Sequence, residues 1–351
     1  MAALVPIENP WDDPARDCPA DSPTTRVPEP QSLPTTVLTG FLGSGKTTLL
    51  RRALASPALS DTAVIINEIG EIAIDHHLVD FVEGSVLELP GGCLCCAVRE
   101  DLARTLRSLL ERREAGEIRR FGRIVIETTG LADPAPILFT LGADPTLDHL
   151  LHLARVVTLV DAVHGADSLD RFAEAGRQAA LADALVISKT DLAPLSASLV
   201  RRLDAINDRA ERLLATAAAD PGGVLFGITG RTPAPAMPTM PAAAHTHGIE
   251  AFGLVLGSDI TRLDFARALG GLARDRGTDL LRVKGIVRFA DRPERPAVVQ
   301  AAQHAMFAPE WLDDWPDTDR RSRLVFVVHA IPRAEVFAHF AFAMPMLWQS
   351  P

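Results

Sequence analysis

The stretch that decides the fold is Thr35-Thr36-Val37-Leu38-Thr39-Gly40-Phe41-Leu42-Gly43-Ser44-Gly45-Lys46-Thr47-Thr48. An apolar, β-branched segment enters a loop spaced Gly, four residues, Gly-Lys-Thr, and a helix-forming segment leaves it. The glycines let backbone N–H groups curl round a phosphate, and the N-terminus of the following helix adds positive potential. Lys46 is placed to reach the β- and γ-phosphates of a nucleotide, and the Thr47 hydroxyl to take a Mg²⁺ position. Gly43, Ser44, Gly45 and Thr48 complete the loop. A Gly-rich turn with a chance Lys-Thr is the bland alternative, and the strand and helix on either side argue against it.

Further short β-branched runs follow at 63–67, 86–89, 124–127, 156–161, 184–188 and 224–228, with helical stretches near 46–55, 98–115, 168–180 and 196–215. Near-continuous apolar runs suit strands buried on both faces of a parallel sheet. The alternation predicts a three-layer α/β P-loop domain over 34–230, with a mostly parallel sheet. Leu102, Leu106, Leu109 and Leu110 fall on one helical face. Residues 1–33, rich in Pro, Asp and Ala, read as a disordered tail. The Pro/Ala stretch 231–247 reads as an extended linker. Beyond it, strand-like runs at 249–256, 280–289 and 323–329 and a helical run at 262–274 predict a smaller α+β domain over 248–345. Trp311, Trp315, Phe326 and Phe337 are its core candidates.

The 351-residue chain is long enough for both cores. A net charge of −10 argues against nonspecific binding to nucleic acid or acidic membranes. There is no signal-like basic and apolar N-terminus and no apolar run long enough to span a bilayer, so the expected location is cytoplasmic. Of 4 cysteines, three crowd into Gly92-Cys93-Leu94-Cys95-Cys96. That is no disulfide framework; such clustering points to metal or redox chemistry.

Ile124-Val125-Ile126-Glu127-Thr128-Thr129-Gly130 has the form of a second nucleotide element. Glu127 would hold the Mg²⁺ shell and the Gly130 amide would sense the γ-phosphate. Asp161 ends another strand with the same geometry, but the Thr-Thr-Gly after Glu127 suits a γ-phosphate-responsive turn better. Ser188-Lys189-Thr190-Asp191 follows a further apolar strand. A carboxylate at Asp191 can accept both N1–H and N2–H₂ of guanine, which adenine does not offer. Ser188 stands where guanine-binding GTPases usually carry Asn, and a helix cap is the plain alternative for this segment.

The cysteines directly precede the helix expected near Val98, and a helix N-terminus lowers thiol pKa, making thiolates accessible. Thiolates suit Zn²⁺, Cu⁺ or Co²⁺. Three close cysteines leave a tetrahedral shell incomplete, as befits a site that must give its ion away; inert thiols or a redox pair are the alternatives. Glu71, in Asn67-Glu68-Ile69-Gly70-Glu71, is a candidate fourth ligand or switch carboxylate, or a solvated loop acid. Adjacent His76 and His77 point apart on most backbones and are not both backed as ligands.

Together these elements resemble the CobW-like GTPases, a family of metallochaperones and metal-insertion factors. The matching pieces are residues 39–50, 67–71, 92–96, 127–136, 188–191 and Leu280-Leu-Arg-Val-Lys-Gly285. The resemblance covers about 34–340. It implies GTP hydrolysis coupled to delivery of Zn²⁺ or Co²⁺ to a client apo-metalloprotein. Lys46, Thr47, Glu127 and Asp191 would serve nucleotide and Mg²⁺, and Cys93, Cys95 and Cys96 the cargo. A homodimer is compatible with it. The chain departs from the family at Ile69, often Phe, and at Ser188, often Asn. The long His-rich run that many members carry near the linker is reduced to His245-Thr246-His247. A P-loop small-molecule kinase and a nucleotide-gated metal sensor that never delivers its ion are the competing functional classes.

Overall fold

The computed structural model describes residues 32–56, 59–67, 86–88, 95–216, 220–227, 248–316 and 318–347, with backbone alone at 67, 86–88 and 95–101. The N-terminal part is one sheet of seven strands: β1 (Leu33–Gly40), β2 (Thr62–Asn67), β3 (Val86–Glu88), β4 (Arg123–Thr128), β5 (Leu151–Asp161), β6 (Ala184–Ser188) and β7 (Glu211–Leu214). Their order is β3-β2-β4-β1-β5-β6-β7, and every pairing is parallel. Because β1 sits between β4 and β5, the loop after β1 opens beside the ends of both.

Among the described residues eight helices accompany these strands, the last of them after β7: α1 (Lys46–Leu54), α2 (Cys95–Glu114), α3 (Ala135–Ala143), α4 (Pro145–Leu150), α5 (Gly165–Arg171), α6 (Ala173–Leu181), α7 (Ala197–Asn207) and α8 (Pro221–Phe226). Alternate residues of the central strands enter opposite cores. Val37, Ile124 and Ile126 pack beneath α2, α3 and α5–α7. Leu38, Val125 and Val157 pack beneath α1 and α8 with Leu49, Leu50 and Val224. The leucine face expected of α2 is buried, with Leu102 and Leu106 fully so. Each such side chain contributes roughly 1.5–3 kcal/mol.

The second part is an antiparallel sheet: β8 (Ile249–Leu256), β9 (Leu280–Val287), β10 (Ala297–Ala302), β11 (Ala305–Met306), β12 (Glu310–Trp311), β13 (Ser322–His329) and β14 (Pro345–Leu347). The order is β11-β10-β9-β13-β8-β14, with β12 on β10. Helices α9 (Arg262–Arg276) and α10 (Arg333–His339) complete it. Its core gathers Phe265, Phe289, Phe326 and Phe340 in edge and tilted contacts. Trp311 and Phe337 are only partly buried against it. Trp315, also partly exposed, donates Nε1–H to the Pro293 carbonyl.

The structure corrects four expectations. Within the run expected as a strand at 224–228, residues 224–226 are the end of helix α8: Asp220 caps it by accepting from Gly222 and Gly223 N–H, and Pro221 starts it, a combination that overrides the apolar run. The helix expected at 196–215 stops at Asn207, whose Oδ1 accepts from Arg209 and Ala210 N–H and turns the chain into β7. The helix at 168–180 is two helices, broken at an extended Phe172. Helix α2 begins at Cys95, not near Val98, so the second and third cysteines form its first turn.

Candidate nucleotide and metal site

Gly45 adopts φ 97° as the residue before α1, a left-handed conformation that only glycine takes at little cost. The chain thereby turns sharply enough to aim the first N–H groups of α1 at the loop interior. Lys46 is buried and folds back, its Nζ donating to the carbonyls of Gly40 (2.7 Å) and Phe41 (3.3 Å). Thr47 and Thr48 are exposed at the loop mouth, whereas Ser44 is buried.

Glu127 ends β4 next to this loop and is 6% exposed. The Thr47 hydroxyl donates to its Oε1 at 3.4 Å. A hydroxyl and a carboxylate so placed are hard oxygen donors of the kind Mg²⁺ takes, so the residues fit that ion. Thr128 locks the end of β4 to β1 by donating Oγ1–H to Thr39 Oγ1 at 2.7 Å inside the core. Gly130 follows, buried against the loop: a Cβ there would fall 2.6–2.8 Å from Leu42 atoms, backbone included. Only glycine permits that approach.

Asp161, the rival carboxylate, is engaged elsewhere. Lys189 Nζ reaches its Oδ2 at 2.5 Å, and Val163 and His164 N–H donate to Oδ1. Burial alone would raise its pKa, but Lys189 and the two amides outweigh burial and hold it below the ordinary carboxylate value. Ser188 Oγ donates to the Ser44 carbonyl at 2.6 Å, tying the 188–191 segment to the phosphate loop. Lys189 takes a positive φ of 57°. Asp191 is exposed and holds no hydrogen bond or ion pair among the described residues.

The structure therefore brings Lys46, Thr47, Glu127 and Gly130 to one loop mouth, with Ser188, Lys189 and Asp191 on the β6 side of it. Of the metal candidates, Cys93 and Glu71 lie outside the described residues, as do His76, His77 and the linker histidines. Cys95 and Cys96 are placed by backbone at the start of α2. Among the described residues no group of three metal-binding side chains occurs. None of their helices is long and apolar enough to cross a membrane.

Two features escaped the sequence reading. Gln178, fully buried in α6, donates Nε2–H to the carbonyls of Gly130 (3.1 Å) and Ala132 (2.9 Å). At the far end of the sheet, Asp183 accepts from Arg282 (2.8 Å) and Lys284 (3.1 Å) of the second sheet and from Val156 N–H (2.8 Å). Arg282 also donates to the Leu181 carbonyl. Two cations at alternate positions of an otherwise apolar strand, β9, were the signal available for the second feature.

A parallel sheet whose first strand feeds a Gly-x₄-Gly-Lys-Thr loop, with a Thr–carboxylate pair beside it, defines a P-loop nucleotide-binding protein. Residues 34–214 match the CobW/HypB/UreG nucleotide-binding domain and residues 249–343 the cobalamin synthesis protein CobW C-terminal domain. The chain belongs to this family and is a GTPase of it. It is 34% identical over 311 residues to the zinc chaperone YjiA of Escherichia coli, covering 87% of this chain and 97% of the relative. It is 30% identical to the zinc chaperone CobW of a Sinorhizobium species, covering 78% and 85%. The crystal structure of Zn(II)-bound YjiA GTPase superposes with a TM-score of 0.64 at 28% identity, over 89% of this chain and 99% of that one.

Proposed function

We propose that this GTPase is a metallochaperone that couples GTP binding and hydrolysis to the holding and delivery of Zn²⁺. GTP phosphates enter the loop of Gly43, Ser44, Gly45, Lys46, Thr47 and Thr48, and Lys46 leaves the Gly40 and Phe41 carbonyls for the β- and γ-phosphates. Thr47 and Glu127 hold Mg²⁺, which when bound neutralises phosphate charge. Gly130 N–H faces the γ-phosphate position. Lys189 and Asp191 face the guanosine, and Asp191 accepts the guanine N–H groups. Cargo zinc is held by the thiolates of Cys93, Cys95 and Cys96, with Glu71 as fourth ligand; Co²⁺ has the same donor preference.

The observation carrying this reading is mechanical continuity between the two sites. Helix α2, which starts at Cys95, packs on α3 and α4, and Arg107 pairs with Asp144 between them. Helix α3 is the next element after the Glu127–Gly130 turn. Packed helices thus connect that turn to the helix bearing two of the cysteines, and in this reading a change there on GTP binding or hydrolysis is passed along them. The relatives named zinc chaperones support zinc as the cargo, and a client apo-metalloprotein as its destination follows from that role.

The test is zinc transfer to a competing apoprotein, measured with Mg²⁺–GTP and with a nonhydrolysable analogue. Faster transfer with GTP is expected. Equal transfer under both conditions would contradict hydrolysis-driven delivery.

A further inference from the structure

Helix α6 touches both the nucleotide turn and the second domain. Midway along it, Gln178 holds the Gly130 and Ala132 carbonyls, and Arg177 pairs with Asp133 at 3.2 Å. Three residues on, about 4.5 Å along the axis, the Leu181 carbonyl accepts from Arg282. Asp183, immediately beyond, takes Arg282 and Lys284 together. These two cations are 7% and 15% exposed, so the clamp is nearly dry.

A second contact runs in parallel. Helix α3, which leaves the same turn, lays Gly142 against Phe307 of the second domain so closely that a Cβ would stand 3.0 Å from the ring. The 129–133 turn is thus bracketed by two helices whose far ends are seated on the second domain.

Gln178 carries a further mark. Its Oε1 is buried and meets no donor among the described residues. The side chain lines a cavity of about 130 Å³ bounded by Phe41, Ser44, Asp161 and Lys189. A buried acceptor left idle costs stability in this state, and a state that supplies it a donor is favoured by comparison.

We propose that Gln178 is a positioning residue for γ-phosphate recognition: it sets the Gly130 turn for the γ-phosphate, and α6 transmits that setting to the Arg282–Lys284 clamp on Asp183. The second domain then favours one nucleotide state over the other. This rests on the GTPase reading above and adds the route by which the second domain feels the nucleotide. Contiguity alone does not establish coupling, so the test measures it.

The full-length chain, free of zinc, is titrated with fluorescent GDP and with a fluorescent nonhydrolysable GTP analogue in Mg²⁺. Wild type is compared with Gln178→Met, Arg282→Met and the double variant. Gln178→Met is expected to weaken the GTP analogue about tenfold while leaving GDP within about twofold, a selectivity shift in the usual range of coupling between sites. Arg282→Met is expected to shift the same selectivity, and the double variant to depart from the product of the two by about threefold or more. A merely structural role for Gln178 would change both nucleotides alike, and that result overturns the proposal. So does strict multiplicativity. Should Gln178→Met lose cooperative unfolding, Arg177→Met, at a half-exposed ion pair, takes its place with a smaller shift of the same sign. A wild-type chain that binds neither nucleotide overturns the GTPase reading and this inference together. Intact wild-type binding with indifferent variants overturns this inference alone.

Discussion

The Thr47 hydroxyl and the Glu127 carboxylate meet at 3.4 Å, although 80 residues of chain separate them. Parallel pairing of β1 with β4 brings them together, since Leu38 and Glu127 are register partners. Replacing Glu127 by Gln removes the charge and keeps the shape. Turnover of GTP is expected to fall about 10²-fold, the usual cost of removing one electrostatic contact to a developing charge, with GDP affinity little changed. Single-turnover hydrolysis beside equilibrium GDP binding checks this.

Asp191 is exposed and without a partner among the described residues, as a base-reading carboxylate must be before nucleotide arrives. Asp191→Asn exchanges one acceptor for a donor against guanine N–H. Competition between GTP and xanthosine triphosphate should then shift toward xanthosine by about tenfold or more, one misplaced hydrogen bond being worth 1–3 kcal/mol. Unchanged preference would remove Asp191 from base recognition; the helix-cap alternative does not apply, since the next helix is capped by Ser196.

Gly130→Ala places a methyl group into Leu42 backbone. The loop and the turn must part to admit it, at a cost of about 1–3 kcal/mol in stability. GTP turnover should fall more than GDP affinity if, as proposed, the turn faces the γ-phosphate. Thermal unfolding alongside steady-state kinetics separates the two effects.

Much of this was legible in the chain. The phosphate loop was legible because Gly, four residues, Gly-Lys-Thr stands between an apolar strand and a helix-forming segment, and the structure adds the left-handed Gly45 at φ 97°. The strand order was not legible, nor was the choice of Glu127 over Asp161 settled, since both end apolar strands. Packing distinguishes the two: Lys189 and two backbone amides engage Asp161, while Glu127 lies beside Thr47. Local capping also outweighed hydrophobic pattern at α8, where Asp220 and Pro221 start a helix through an apolar run. Gln178 was invisible for a general reason: a buried glutamine bonded to carbonyls far away in sequence leaves no periodic or local mark.

Asp183 lies between two cations, and although burial alone would raise its pKa, Arg282, Lys284 and Val156 N–H hold it well below the ordinary carboxylate value. A carboxyl depressed in the folded state binds fewer protons there than in the unfolded chain. Its stabilisation is therefore complete above about pH 4, the unfolded value, and is lost as pH falls toward the folded one. Asp183→Asn should cost about 3–5 kcal/mol at pH 7, since it strands two buried cations. Urea unfolding of both proteins from pH 7 to pH 3 should show the gap narrowing only below about pH 4. A constant gap would mean the carboxylate charge is not what holds the clamp.

Nucleotide and metal are joined in this account through α2, whose first turn carries Cys95 and Cys96 and whose body packs on the helices after the Glu127 turn. The most direct measurement is the zinc dissociation constant of the intact protein with Mg²⁺–GTP analogue, with Mg²⁺–GDP and without nucleotide, repeated for Cys95→Ser. Zinc is expected to bind at least about tenfold more tightly in the GTP-analogue state than in the GDP state, within the usual range of coupling between sites, and the variant to lose that difference. Equal zinc affinity in all three states would contradict it.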